Sequence, residues 1–172
     1  MDYHKLCIPG DLLLYQHPEG VGLISRGIRL IEGNKVVHCS IVVQNKGGVV
    51  LVAEINSDYK ARVAPIETSS ALELPMVARN TQLTIDEERL FATANKLVGS
   101  SYAFERVGDA LINHLTGWFK VPPRSYLSSE NPRRFICSTL TSYLLSQCST
   151  WKYNPIAEPD DFTVAPWLPV VG

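Results

Sequence analysis

A chain of 172 residues, 45% hydrophobic and 19% charged, has the composition of an ordinary globular protein and enough length to bury a core without disulfide or metal staples. Its net charge of −1 creates no long-range field toward nucleic acid or anionic lipid, so no nucleic-acid partner is expected. No apolar run approaches the ~20 residues of a membrane-spanning helix, so stable membrane insertion is not expected either.

In chain order, Pro9-Gly10-Asp11 reads as a turn into a short buried strand, Leu12 to Tyr15. From 21 to 32, apolar positions 21, 24, 28 and 31 interleave with Arg26 and Arg29. That pattern predicts an amphipathic helix stopped by Gly33-Asn34. Residues 37–43 and 49–55 are β-branched runs flanking Gln44-Asn45-Lys46-Gly47-Gly48, a strong hairpin signal. Two more strands are read at 62–66 and 76–79. Thr84 and Glu87 have the spacing of a capping box, which makes Thr84 the N-cap of a helix ending at Gly99.

A second helical pattern covers about 104–115, and a loop with Pro122-Pro123 and Asn131-Pro132 covers 120–132. From Ile136, apolar side chains at 136, 140, 143, 144 and 148 define the last helix. The Pro-rich tail, 154–172, is anchored by Trp167 and is expected to lie extended over the body without regular structure. With no repeat and no low-complexity segment, one domain over 1–172 is expected.

The four cysteines are Cys7, Cys39, Cys137 and Cys148. None shares Cys-x-x-Cys spacing and no Cys/His cluster has zinc-finger form, so no metal site is expected. Met1-Asp2-Tyr3-His4-Lys5 has no basic, apolar, small-residue signal. The expectation is a chain cytoplasmic as synthesised, with reduced thiols. A protein released by lysis or carried in a virus particle would read the same way.

Three residues carry the candidate chemistry: His38 on a strand, Glu54 on the next strand, and Cys137 entering a helix. A thiol attacks poorly until a base takes its proton, and an imidazole serves best when a third group fixes its tautomer. A three-residue loop at Asn45-Lys46-Gly47 pairs His38 with Glu54 across the hairpin, roughly 5 Å apart at Cβ. Another loop length shifts the register and sets Ile55 opposite His38. Glu54 follows Val49-Val50-Leu51-Val52-Ala53, and a carboxylate that deep in a strand needs a partner.

Cys137 is placed at a helix N-terminus, with the helix beginning near Ile136. Macrodipole and free N–H groups there favour thiolate over a thiol whose pKa starts near ~8.5. A start at Asn131-Pro132 would forfeit most of that benefit. Cys39 alternates with His38 and is read as core, as is Cys148; Cys7 is uninformative. His4, His17 and His114 occupy terminal, turn or helix-end segments and are weaker candidates for the base.

The order of these pieces resembles a known family. Gly10-Asp11 precedes an apolar strand, then comes His38-Cys39-Ser40-Ile41-Val42-Val43 and a hairpin into a strand ending at Glu54. Gly99-Ser100-Ser101-Tyr102 follows a helix, and Phe135-Ile136-Cys137-Ser138-Thr139-Leu140 comes late. About residues 9–148 resemble the circularly permuted papain-fold hydrolases of the NlpC type, including YiiX-like proteins and the lecithin–retinol acyltransferase group.

The resemblance implies an α+β fold, an antiparallel sheet of about five strands packed against helices that include the cysteine-bearing one. It implies Cys137 as nucleophile, His38 as base and Glu54 as the orienting residue. Tyr102 matches a tyrosine near the family's site, in reach of an oxyanion hole, and Ser40 and Ser138 match flanking motif positions. No metal or organic cofactor is implied. The expected partner is a peptide, peptidoglycan or acyl substrate, cleaved at an amide bond through an acyl-enzyme. A lipid or acyl-group hydrolase or transferase with the same triad is the alternative, and a catalytically idle binding or structural module, for instance in a viral particle, is a third.

Overall fold

The computed structural model describes residues 2–16, 36, 38–55, 60–68, 75–103, 134–154, 157, 159–164 and 166–170. The expected helices at 21–32 and 104–115, the loop at 120–132, His17 and His114 lie outside them. The fold is α+β. In chain order its elements are α1 (Tyr3–Leu6), β1 (Leu12–Tyr15), β2 (His38–Lys46), β3 (Val49–Glu54), β4 (Arg62–Pro65), β5 (Met76–Asn80), α2 (Glu87–Leu97), β6 (Ser101–Tyr102), β7 (Arg134–Phe135), α3 (Cys137–Cys148) and β8 (Trp167–Pro169).

Six of the strands form one antiparallel sheet in the order β4-β3-β2-β1-β5-β8. β1 sits inside it, and its Leu12-Leu13-Leu14 run is wholly buried because both faces of the sheet are covered. On one face Leu12, Leu14, Cys39, Ile41 and Val43 pack with Leu90 and Ala94 of α2 and Leu140, Leu144 and Leu145 of α3. On the other, Leu13, Tyr15, Val42, Val50, Val52 and Val77 pack beneath Tyr3 and Leu6 of α1. The period-2 alternation of β2 thus assigns its residues to two cores.

Two expectations are corrected. α2 begins two residues later than Thr84 suggests: its N-cap is Asp86, whose carboxylate accepts from the Arg89 N–H at 3.0 Å. Asp is the stronger cap, and the chain before it is held by tertiary contacts. Asp86 N–H donates to the Cys148 carbonyl at 2.8 Å. A Cβ at Gly10, whose φ is +93°, would meet Ile85 at 2.6 Å.

The tail, in turn, supplies the sixth strand. β8 pairs with β5, and Trp167 is buried beside Phe162 and Trp151, with ring centroids 5.6 and 5.8 Å away. Prolines are tolerated there because an edge strand need not donate on its outer side. Among the described residues no helix is long and apolar enough to cross a membrane.

Candidate active site

The β2–β3 hairpin turns on two residues, Gly47 and Gly48, with φ of +62° and +77°. Positive φ at both positions suits the type I′ turn, whose twist matches the strands. The register therefore differs from the three-residue loop read from sequence. A regular two-residue hairpin would set Glu54 opposite Ile41, on the helix-covered face. That does not happen, because a bulge between Val42 and Gln44 adds one residue to β2 and restores the parity. Ile41 pairs with Ala53, so Glu54 falls opposite Ser40 and shares the face of His38 from a diagonal position.

Across that diagonal, His38 Nε2 lies 3.7 Å from Glu54 Oε2. This is an ion-pair separation, longer than a hydrogen bond. Glu54 has a fully buried side chain, and its other oxygen accepts from Arg62 Nε at 2.9 Å and Nη2 at 2.6 Å. Arg62 thus supplies a cation of the kind that a buried carboxylate needs. Tyr15 packs against the imidazole, 5.3 Å between ring centroids and tilted by 38°.

α3 starts at the candidate nucleophile itself. Ile136 is the N-cap, with extended φ and ψ of −99° and 171°, and Cys137 is the first helical residue. Thr139 Oγ1 accepts the Ile136 N–H at 3.0 Å and donates to the Ile136 carbonyl at 3.2 Å, fixing the first turn. Cys137 is thus in the turn whose N–H groups have no intrahelical acceptor.

Its thiol is held well below the ordinary cysteine range. The largest cause is a hydrogen bond from Cys39; burial opposes it, and His38 adds a hydrogen bond and its charge. Burial pulls His38 down, but Cys137 and then Glu54 outweigh it and raise the imidazole to about 9. Both shifts run in the direction that favours a thiolate beside an imidazolium. Cys7 and Cys148 go the other way, to about 11, chiefly through burial. With Nε2 turned to Glu54, Nδ1 is the nitrogen left to serve the thiol.

Tyr102 reaches this point through a two-strand parallel contact, Tyr102 beside Phe135, two residues before Cys137. Burial first, then the nearby charges of Cys137 and Cys39, push its phenol above the ordinary range, so it keeps its proton. The two serines have other employment. Ser40, fully buried, shares a hydrogen bond with Tyr15 at 3.2 Å, and Ser138, also fully buried, donates to the Ala157 carbonyl at 2.5 Å, tying α3 to the tail. His4 lies apart, against Glu67 at 3.4 Å.

Sequence reasoning missed Arg62, Tyr15 and Cys39. Arg62 had a signal, since a buried carboxylate needs a cation and Arg62 opens the strand that pairs with β3. Cys39 does face away from His38, but that face is the one on which α3 rests. Its Sγ lies 3.7 Å from Thr141 Oγ1, one helical turn beyond Cys137. No known family model and no curated protein matches the chain.

Proposed function

We propose that this protein is a cysteine hydrolase that cleaves an amide or peptide bond through a thioester acyl-enzyme, with Cys137 as nucleophile, His38 as base and acid, and Glu54 as the orienting carboxylate. The observation that carries the reading is the meeting, at the start of α3, of the one cysteine with a lowered pKa among the described residues and a histidine backed by a buried carboxylate. The element order supports it too: the histidine strand precedes the cysteine helix, as in the permuted papain-like hydrolases that the sequence resembles.

In this mechanism the Cys137 thiolate adds to the substrate carbonyl, and the developing oxyanion meets the N–H groups of the first turn of α3. The Tyr102 hydroxyl is a further donor nearby. Imidazolium His38 gives its proton to the departing amine, and the C–N bond breaks to leave the acyl group on sulfur. Water, deprotonated by His38, then releases the acid and returns the thiolate. Cell-wall peptides are the proposed substrate class, on the strength of the resemblance alone.

The test is incubation of the pure protein with peptidoglycan fragments and, in parallel, with acyl lipids, with products and any adduct on Cys137 read by mass spectrometry. Peptide products are expected, and Cys137→Ala should abolish them with a melting temperature within a few degrees of native. Lipid products would transfer the same mechanism to the other substrate class. Absence of any product or adduct from either class would count against enzymatic turnover.

A further inference from the structure

Glu54 lies directly opposite Arg62 in the β3–β4 pair, and the two side chains bond asymmetrically. Nε and Nη2 of Arg62 both donate to Oε1, at 2.9 and 2.6 Å, and Nη2 also donates to the Thr68 carbonyl at 2.8 Å. Oε2 is the oxygen turned toward His38. An arginine commonly spreads its fork over both oxygens of a carboxylate. Here both donors fall on one oxygen, and the other is aimed at a ring.

The asymmetry has a chemical consequence. The Glu54 side chain is fully buried while that of Arg62 is 35% exposed, so the arginine compensates the buried charge from the solvent side. Without that cation, Glu54 would tend to take a proton. A neutral carboxyl is a donor, and it would make Nε2 the acceptor and leave the hydrogen on Nδ1. That tautomer cannot accept the proton of Cys137.

We propose that Arg62 is a positioning residue of the site, which helps keep Glu54 ionised and holds it with its second oxygen toward His38, so that the other ring nitrogen is available to Cys137. The proposal rests on the reading of Cys137 as the nucleophile and adds a fourth member behind the carboxylate. The groups that face this chain of contacts come from five elements besides β3: Tyr15 from β1, His38 and Cys39 from β2, Arg62 from β4, Tyr102 from β6, and Cys137 from α3.

The test needs no substrate. Iodoacetamide alkylation of Cys137 is followed by peptide mass spectrometry as a function of pH, in the native protein, Arg62→Met and Arg62→Lys. In the native protein Cys137 should react faster than Cys7 and at lower pH. In Arg62→Met the midpoint should move up by about one unit, with roughly a tenfold slower reaction on the acid side. Arg62→Lys, which keeps a charge without the two-donor fork, should fall between.

A merely structural arginine would lower the melting temperature and leave the profile in place. A native profile in Arg62→Met overturns the proposal, as does a native profile in Arg62→Lys where the methionine variant does not fold. A native protein whose Cys137 reacts no faster than Cys7 overturns the nucleophile reading and this proposal together. A fast native Cys137 with an unmoved variant profile overturns this proposal alone.

Discussion

Two carboxylates are buried on this sheet, each facing an arginine on the neighbouring strand, and their geometry separates a lock from a lever. Asp11, 1% exposed, stands before β1 and meets Arg79 of β5. The guanidinium spans it, Nε to Oδ1 and Nη2 to Oδ2, each at 2.7 Å, and the Ile8 N–H adds a bond to Oδ2 at 2.8 Å. Arg79 Nη2 also donates to the Leu6 carbonyl at 2.8 Å. Both oxygens of Asp11 therefore serve to hold the N-terminal segment against the sheet. Glu54 has the same chemistry and the same cross-strand relation, yet its arginine sits on one oxygen and an imidazole faces the other. Burial and an ion pair are common to both carboxylates; what sets Glu54 apart is that its second oxygen faces an imidazole.

The comparison breaks most sharply at His38. Removing the ring in His38→Ala should slow turnover by about 10²–10⁴, the usual contribution of a positioned acid–base. A rate within a few-fold of native would detach Glu54 from any catalytic role and make the two carboxylates equivalent. Asp11→Ala tests the lock. It takes the carboxylate away from the partly exposed Arg79 guanidinium and from the Ile8 N–H, and should cost about 1.5–3 kcal/mol in denaturant unfolding. The folded variant should still alkylate at Cys137 at the native rate. Slowed alkylation there would mean that the two ends of the sheet are coupled.

Glu54→Gln comes next. It preserves shape and removes charge, so turnover should fall about ten- to a hundredfold, less than in His38→Ala. Full activity in both variants would remove the pair from the mechanism. The pH response follows from the shifts with a definite sign. His38 is raised from an ordinary 6.5 to about 9. Its stabilising contribution is complete below 6.5 and disappears as pH rises through about 9, where turnover should also fall for want of the imidazolium proton. Cys137 is lowered from 9.0. Its contribution is complete above that value and is lost as pH falls through the depressed one, which sets the acid limb. In Cys137→Ala the alkaline loss of stability should move to lower pH, since the thiolate is a leading cause of the raised imidazole. An alkaline limb that stays near 9 would locate the cause elsewhere.

Much of the framework is legible in the residue pattern. Leu12-Leu13-Leu14 announces a strand covered on both faces, and the β-branched runs flanking Gly47-Gly48 announce the hairpin. The start of α3 could be set at Ile136 because Cys137 needed the first turn. What the pattern does not reveal is the bulge between Val42 and Gln44. Nothing in a run of Ile-Val-Val tells which residue steps out of the ladder, because each is equally suited to a strand. Counting from a three-residue loop at Asn45-Lys46-Gly47 places Glu54 opposite His38, and counting from the actual Gly47-Gly48 turn without the bulge would place it opposite Ile41, whereas the structure has it opposite Ser40, on the face of His38 for a different reason. The tail strand was hidden by prolines that a sheet edge accommodates. Cys39 was hidden by a sound rule, alternation, applied without knowing which face the helix covers.

The smallest effect comes from that cysteine, and it measures how the thiolate is shared between direct and relayed support. Glu54 and Arg62 act on Cys137 through the ring, whereas the Cys39 thiol is itself the largest cause of its lowered pKa. Burial and the negative charge of Cys137 raise Cys39 well above the ordinary range, so it keeps the proton that it donates. Cys39→Ala removes the donor and opens only a small void beneath Thr141. A hydrogen bond to a charged group contributes about 1.5–3 kcal/mol, and a sulfur donor belongs at the weak end. The acid limb of Cys137 alkylation should therefore rise by about one pH unit. The alkaline limb of turnover should remain near 9, since His38 keeps both of its own partners. If instead both limbs move together, the two supports act as one network and the thiol cannot be separated from the carboxylate behind the ring. If neither moves, the thiolate depends on the imidazole alone, and the arginine–glutamate pair becomes the dominant control of the nucleophile.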